Sequence, residues 1–341
     1  HPSVEPGGDP DDLDPTEIRM LVREGGIVGM GGAAFPTHVK LTPPKERNIE
    51  LLILNGSECE PYLTADHRQM VERGTDIIKG GLLTARAVGA ERIVVGIERD
   101  DHDGIRAMMA AGAPHGIEVI ALPRRYPTGA ERTLIKVITG KEIPSGKLPS
   151  FVGVVVQNVS TALAIYEMAY KGMPLVERVL TVSGDGVAGH SNMRVKIGTL
   201  VDDIISFCGG LVGEKGKLIM GGPMMGVAQS STAVPVVKAT GGIVVLRGET
   251  MFSDEPRRFV CIRCVRCVRR CPMNLRPFLM VLNTHSGKFD ELEKLNINDC
   301  VECGCCAYIC PTKNPLVQLI KVGKEGLARR KKKFEEFDQG E

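Results

Sequence analysis

Nine of the eleven cysteines lie between residues 261 and 310. Eight of them form two copies of one pattern. The first is Cys261-x2-Cys264-x2-Cys267-x3-Cys271-Pro272, and the second is Cys300-x2-Cys303-x2-Cys306-x3-Cys310-Pro311. Three thiolates at this spacing wrap one face of an iron–sulfur cubane, and the fourth, before Pro, reaches the neighbouring cubane. The pattern predicts one [4Fe–4S] cluster on Cys261, Cys264, Cys267 and Cys310, and a second on Cys300, Cys303, Cys306 and Cys271. The Pro stops each local turn from propagating. Zinc fits poorly, because zinc sites usually take two x2 pairs of Cys per metal. Cys305 is off-pattern and reads as a packing residue. Cys59 and Cys208 read as small buried apolar residues.

Charge divides the two motifs. An oxidised cluster with four thiolates carries about −2, so two add roughly −4 to the chain. Arg257, Arg258, Arg263, Arg266, Arg269 and Arg270 flank the first motif, whereas Asp299 and Glu302 flank the second. The arginines would raise the first cluster's potential and could dock an acidic redox partner, or they form a solvated helix face. A potential difference between the clusters is expected.

Clusters move single electrons and do no substrate chemistry, so the rest of the chain must admit the electrons. Gly29-Met30-Gly31-Gly32-Ala33-Ala34 matches G-x-G-x-x-G/A. The dinucleotide-binding context fails, since a helix precedes this loop and Phe35-Pro36 follows it. Its small residues still let backbone N–H groups approach a phosphate or ring, with Lys40 nearby as a cation. Three more polar loops follow strands: Asn55 to Pro61, Tyr126 to Glu131 and Gln157 to Thr161. Each can be a plain turn or cap, and Ser160 alone would cap a helix. Together they suggest a ligand crevice at the carboxyl ends of strands.

The elements that must position these loops alternate. A helix opens at Asp14-Pro15, runs to Glu24 and stops at Gly25-Gly26. Apolar strands are predicted at 50–55, 92–97, 117–122 and 152–158, with helices at 65–73, 75–88, 102–111, 129–139 and 160–171. Strand–helix alternation implies an α/β domain over 15–175 with a mainly parallel sheet. Residues 176–248 read as a small α+β module of short strands around one helix. From 249 to 325 the chain is helical and Cys-rich, and 326–341 is a charged tail. Residues 1–14 read as a flexible lead-in.

The composition excludes several classes. The chain has 341 residues, room for two or three domains at roughly 150 each. The 43 Lys and Arg against 41 Asp and Glu leave +2, too little for a general nucleic-acid binder. No apolar run is long enough to span a bilayer, and residues 1–15 do not read as a signal peptide. One late cluster with an odd Cys count points to a reducing compartment. The 40 glycines imply many tight turns or close approaches to a ligand. The chain starts at His1 without Met, which leaves an upstream segment open.

The loop GMGGAAFPTHVK (29–40) resembles the flavin loop of the NADH-binding flavoprotein subunit of respiratory complex I. The chain resembles the C subunits of Rnf electron-transport complexes more closely still. The shared stretches are GMGGAAFPTHVKL, NGSECEPYLTADHRQM, YPTGAERTLI, VGVVVQNV, GGPMMG and both Cys motifs with their flanks, spanning 16–324. The resemblance implies that the α/β domain binds FMN and NADH, that a β-grasp (soluble ligand-binding) module follows, and that a helical two-cluster ferredoxin-like domain ends the fold. It implies Gly29, Gly31, Gly32, Lys40, Asn55, Ser57, Glu58, Gly129, Asn158 and Thr161 around FMN. Phe35, Glu60, Tyr126 and Glu131 would lie toward NAD(H). Ala34, Ser57 and Ala130 replace a Gly, an Asp and a Glu of the complex I pattern. Rnf C subunits usually carry an additional N-terminal domain, which has no counterpart here.

The expected activity is hydride exchange between NAD(H) and FMN, with single electrons relayed through the clusters. No side chain needs to act as general acid or base. Glu58, Glu60 and Glu131 would bind ribose hydroxyls and repel a 2′-phosphate. The expected partners are the other Rnf subunits, including the ferredoxin-like B subunit and the membrane subunits, together with ferredoxin. The expected location is the cytoplasmic face of the bacterial cell membrane, held through partners, with the basic run 329–333 touching lipid or a partner or simply ending a helix. Two alternatives stand: an NADH-dependent cobalamin reductase of similar architecture, and a cluster-only relay whose α/β domain is a docking scaffold.

Overall fold

The structure, a computed structural model, describes residues 9–44, 46–248 and 260–338. The chain divides into two compact units. The first holds two β-sheets, and the second holds the cysteine motifs together with the short segment 144–147.

The first sheet contains β1 (Leu51–Asn55), β2 (Arg92–Glu98), β3 (Glu118–Leu122) and β4 (Val154–Asn158), in the order β3-β2-β1-β4. All its pairings are parallel. Its central strands are near-continuous apolar runs because helices cover both faces. On one face Leu52, Leu54 and Val155 pack against α1 (Pro15–Glu24), α3 (Ala65–Val88) and α6 (Val159–Lys171). On the other, Ile53, Val94 and Val156 pack against Leu134 and Ile135 of α5 (Glu131–Thr139). A short α2 (Thr37–Lys40) ends the glycine-rich loop, and α4 (His102–Gly112) lies between β2 and β3.

Several expectations change in detail. The helices expected at 65–73 and 75–88 are one helix, α3, kinked at Arg73 (φ −130°, ψ 24°). Arg73 bonds Asp76 at 2.6 Å and Glu167 of α6 at 3.2 Å, which holds the bend in place. The helix crosses α6 at Gly80, where an added Cβ would sit 1.8 Å from the Ala162 carbonyl oxygen. Within the lead-in, Pro10–Asp12 form a 3-10 turn, and Asp11 accepts a hydrogen bond from the Tyr170 hydroxyl. Asp14 caps α1 in a reciprocal box with Glu17, as Asp-Pro at that position implied.

The second sheet follows in the same unit. It contains β5 (Glu177–Ser183), β6 (Ser191–Lys196), β7 (Lys215–Met220), β8 (Val227–Gln229) and β9 (Gly242–Arg247), in the order β6-β5-β9-β7-β8. The β5–β9 pair is parallel and the others are antiparallel. Val201, Ile204 and Ile205 of α7 (Val201–Phe207) bury against it. Strand β8 has three residues and escaped the sequence reading. The expected junction at 248/249 borders residues outside those described.

The second unit contains α8 (Arg266–Arg269), α9 (Pro277–His285), α10 (Phe289–Lys294), α11 (Cys305–Ile309) and α12 (Leu316–Asp338). The expected tail from 326 is therefore largely the continuation of α12. Glycines let that helix pack closely: a Cβ at Gly323 would meet the Thr284 hydroxyl at 2.4 Å, and one at Gly326 the Phe289 ring at 2.2 Å. Among the described residues no helix is long and apolar enough to cross a membrane.

Candidate functional site

The chain runs from β1 outward to β2 and β3, then returns to add β4 on the other side of β1. This reversal makes the carboxyl ends of β1 and β4 the switch point, where ligands bind in open α/β sheets. Asn55 and Asn158 end these strands and are register partners. Neither amide is idle. Asn55 donates to the Gly129 carbonyl at 2.9 Å and accepts from the Ser57 amide at 3.0 Å. Asn158 caps α6 by accepting from Ser160 and Thr161, and donates to Asp66 at 2.7 Å. The cap of α6 is thus Asn158, not Ser160. Ser160 instead bonds Asp66 and Gln69.

The glycine-rich loop closes on itself beside this switch point. Gly29 donates to the Phe35 carbonyl at 2.8 Å, and Val28 bridges Pro36. The Met30 amide donates to the buried Thr161 hydroxyl at 2.9 Å. A Cβ on Gly31 would touch Asn158 at 3.6 Å, while one on Gly32, at φ +110°, would meet nothing within 4 Å. The loop is therefore anchored at Met30 and faces open space at Gly32. Lys40 sits beneath it, donating to Glu131 and to the Val156 carbonyl, each at 3.0 Å. Gly129 approaches Ser57 so closely that a Cβ would lie 2.5 Å from its carbonyl oxygen. The structure thus brings Gly29, Gly31, Gly32, Lys40, Asn55, Ser57, Gly129, Glu131, Asn158 and Thr161 together. Phe35 is on the same loop and 48% exposed, and Tyr126 precedes a cis Pro127 in the loop after β3. These residues fit a flavin phosphate and ring: an anchored small-residue loop with open space beside it, and a cation held on the sheet edge.

Two carboxylates have duties that the sequence reading missed. Glu58 accepts from the amides of Asp66 and His67 at the start of α3. Burial, aided by the Asp66 carboxylate, pushes its pKa up to about 8. Burial also raises Asp66, while Ser160, Asn158 and Arg178 oppose that rise. Glu60 accepts from Met225 at 2.7 Å and Met224 at 3.1 Å, which ties the first sheet's loops to the GGPMMG turn after β7. Arg178 is a further residue that sequence reasoning did not single out. It is 5% exposed, comes from β5, and donates to the carbonyls of Met30 and Lys238. Its sequence signal was an Arg at the start of an apolar strand.

In the second unit the cysteines line two small cavities. One is lined by Cys261, Cys264, Cys267 and Cys310, and the other by Cys271, Cys300, Cys303 and Cys306. The fourth Cys of each motif, Cys271 or Cys310, lines the cavity of the other motif. The wrapping repeats in the backbone. Arg263 and Glu302 have φ +53° and +57°, Val265 and Gly304 have +52° and +80°, and Asn274 and Lys313 have +54° and +53°. Each pair occupies the same offset in its motif. Left-handed residues turn successive N–H groups toward a concavity that favours anions. A β-branched Val in this conformation costs about 1–2 kcal/mol, so the loop around it must enforce it. Burial pushes the thiols of Cys267, Cys271 and Cys300 upward and Cys306 up to about 12. A cation is needed to draw those protons off at neutral pH. Four thiols converging on one cavity fit the donor set of an iron–sulfur cubane.

Charge around the cavities corrects the local sequence reading. Glu302 is not an isolated acid. Lys324 of α12 donates to it at 2.7 Å and to the Cys300 carbonyl at 2.7 Å, and Lys321 approaches at 3.5 Å. Cys305 is buried and lines the second cavity beside Cys303. Asn314, also missed, clamps Val260 by accepting from its amide at 3.3 Å and donating to its carbonyl at 2.8 Å. Arg257 and Arg258 lie outside the described residues.

Comparison with known proteins agrees with this layout. Residues 22–167 match the Nuo51 FMN-binding domain, 179–228 the SLBB domain and 260–314 the 4Fe-4S dicluster domain. The chain is 43% identical over 311 residues to the C subunit of the proton-translocating ferredoxin:NAD(+) oxidoreductase complex of Clostridium ljungdahlii, covering 91% of this chain and 68% of that protein. It is 43% identical over 333 residues to the C subunit of the Na(+)-translocating ferredoxin:NAD(+) oxidoreductase complex of Acetobacterium woodii, covering 97% and 75%. The C subunit of the ion-translocating oxidoreductase complex of Rhodobacter capsulatus is 42% identical over 323 residues, covering 94% and 62%. Among solved structures, the NAD+-reducing [NiFe]-hydrogenase in its H2-reduced state shares the fold, with TM-score 0.62 at 20% identity over 92% of this chain and 62% of that one.

Proposed function

The chain belongs to the family of C subunits of ion-translocating ferredoxin:NAD(+) oxidoreductase complexes, and we propose that it is the NADH-binding electron-transfer subunit of such a complex. The observation that carries this reading is the pairing of an anchored glycine-rich loop over a sheet switch point with two four-cysteine cavities. Bound FMN would supply the exchange between two-electron and one-electron transfer, and the clusters would accept single electrons.

The chain's own residues bind and orient. Thr161 holds the Met30 amide so that Gly29, Gly31 and Gly32 present backbone to the phosphate and ring. Lys40, fixed by Glu131 and the Val156 carbonyl, supplies the cation. Phe35 and Tyr126 would border the nicotinamide and shield it from water. Of the three acids expected to select NADH over NADPH, Glu58 and Glu60 are engaged by backbone amides. Glu131 gives one carboxylate oxygen to Lys40, and with the other it would bond a ribose hydroxyl and repel a 2′-phosphate. Higher kcat/KM with NADPH than with NADH would refute that assignment.

The complex supplies the remaining parts. The ferredoxin-like B subunit, ferredoxin and the membrane subunits would be the partners. The chain would sit on the cytoplasmic face of the cell membrane through them, and ion movement would reside in the membrane subunits. The relatives described above are named as members of such complexes, which favours this reading over the cobalamin reductase.

Anaerobic titration of the purified, cluster-loaded protein with NADH tests the proposal. Bleaching of a bound flavin, with FMN released by acid, is expected. Iron without flavin, and no bleaching, would leave the cluster-only relay.

A further inference from the structure

Resting on the NADH reading, we propose that Tyr62, in the loop between β1 and α3, is the platform on which the adenine ring of the dinucleotide stacks.

Tyr62 has φ +71°, in the left-handed region. A bulky residue rarely adopts that conformation, whereas glycine adopts it without steric cost. The second sheet and the loop's own turn hold it there. The Leu63 amide donates to the Glu60 carbonyl at 3.4 Å, which closes the turn. The Tyr62 carbonyl accepts from the Ser183 hydroxyl of β5 at 2.8 Å, and the Thr64 amide donates to the Thr181 hydroxyl at 3.0 Å. The backbone is therefore fixed at Tyr62 and on its far side, and with it the direction of the ring.

That ring is 53% exposed. Among the described residues it stacks on no other ring or cation, and its hydroxyl has no hydrogen bond. The strained backbone thus gains little packing in return. Such strain persists where a ligand uses the geometry it enforces. Aromatic residues are only 4% of the chain, so an exposed one held at the switch point is not surface background.

The loop leaves the carboxyl end of β1, where Asn55 is in register with Asn158. Glu60, two residues before Tyr62, accepts from the Met225 amide at 2.7 Å, which brings the turn after β7 against the same loop. Met225 is 46% exposed there. An aromatic ring and a thioether exposed on two loops tied together suit a flat heterocycle. NAD(H) carries two such rings. Hydride exchange sets the nicotinamide against the flavin, on the side of the glycine-rich loop and Phe35. The adenine has no cofactor to rest on and takes its stacking partner from the protein. Stacking of a base on an aromatic side chain needs no hydrogen-bond code. A ring already fixed in direction loses little freedom when the ligand arrives.

The test uses the cluster-loaded, flavin-loaded protein and three probes: NADH, reduced nicotinamide mononucleotide, which lacks the adenylate half, and ADP-ribose, which lacks the nicotinamide. In Y62G the dissociation constant of ADP-ribose, read by calorimetry, should rise about tenfold. The ratio of the KM for NADH to the KM for the mononucleotide, with ferricyanide as electron acceptor, should rise by a similar factor. Y62F keeps the ring and should recover most of both losses. The denaturant midpoint of Y62G should hold or rise, because glycine relieves the left-handed backbone. Unchanged ADP-ribose affinity in Y62G would overturn the proposal. So would equal rises in KM for the two reductants, which would put the ring at the nicotinamide. A lowered midpoint alongside the lost affinity would make Tyr62 a support of the loop and also overturn it. If ADP-ribose binds through Tyr62 while NADH leaves the wild-type flavin unbleached, the functional reading fails and the adenine site stands. If NADH bleaches the flavin and Y62G behaves as wild type, the functional reading stands and the adenine site fails.

Discussion

Asn55 and Asn158 are register partners at the ends of β1 and β4, and neither amide stands free: Asn55 holds the Gly129 loop, and Asn158 holds Asp66 at the start of α3. The switch point is thus rigid before any ligand arrives. Replacing Asn158 with Ala removes the α6 cap and strips Asp66 of a donor. A loss of about 1–2 kcal/mol is expected from the cap alone. Asn158→Asp keeps the cap but sets a carboxylate against Asp66, and should also destabilise. Chemical denaturation of both variants checks this; a stable N158D would contradict it.

Thr161→Val keeps the shape of the side chain but leaves the Met30 amide buried without an acceptor. Orphaning such a donor costs about 1–3 kcal/mol. The cost falls on the loop that cradles the phosphate, so flavin affinity should drop by tenfold or more while the clusters remain. Fluorescence titration with FMN measures the one, and iron analysis the other.

Gly129→Ala forces a Cβ to within 2.5 Å of the Ser57 carbonyl oxygen. Backbone cannot yield as a flexible side chain does, so the loops after β1 and β3 must separate. Overpacking of this kind typically costs about 1–3 kcal/mol. Weakened flavin binding is the expected readout. Wild-type affinity in G129A would mean that the two loops are not part of the site.

The crossed cysteine pattern predicts crossed losses. Cys310→Ser should disturb the cluster held with Cys261, Cys264 and Cys267. Cys271→Ser should disturb the other. Cys305→Ser should keep both, because each cavity still has four thiols. Electron paramagnetic resonance of the reduced variants separates these cases, and loss of the same signal in C310S and C271S would reject the crossing.

Glu58 supplies a pH dependence. Its folded pKa, about 8, lies above the ordinary value of 4.5. Between those values the folded state holds a proton that the unfolded state has released, so stability from this group falls as pH rises across the window. The slope is at most about 1.4 kcal/mol per pH unit. Its surroundings are Asp66, His67 and Arg178. In Glu58→Gln the decline between pH 5 and pH 8 should flatten, since no charge is then forced into the site. Parallel wild-type and E58Q stability profiles would exclude the effect.

Much of the protein was legible in its sequence, for local reasons. The cysteine spacing determined which thiols share a cavity, because three ligands at x2 intervals and a fourth before Pro leave the chain few ways to close on two cubanes. Apolar runs separated by helical periods determined the parallel sheet, because only strands buried on both faces read that way. The glycine-rich loop declared close backbone approach. What tertiary structure alone decided lies in contacts between distant residues. The acids Glu58 and Glu60 looked free because the amides they accept from are brought near only by α3 and the turn after β7. Glu302 looked unpaired because Lys324 reaches it from another helix. Arg178 meets Met30, and Asn314 meets Val260, across 148 and 54 residues. A sequence states which groups exist and their local period. Which partner satisfies a buried charge or amide is determined when the chain folds back on itself, because that energy depends on distance in space and not along the chain.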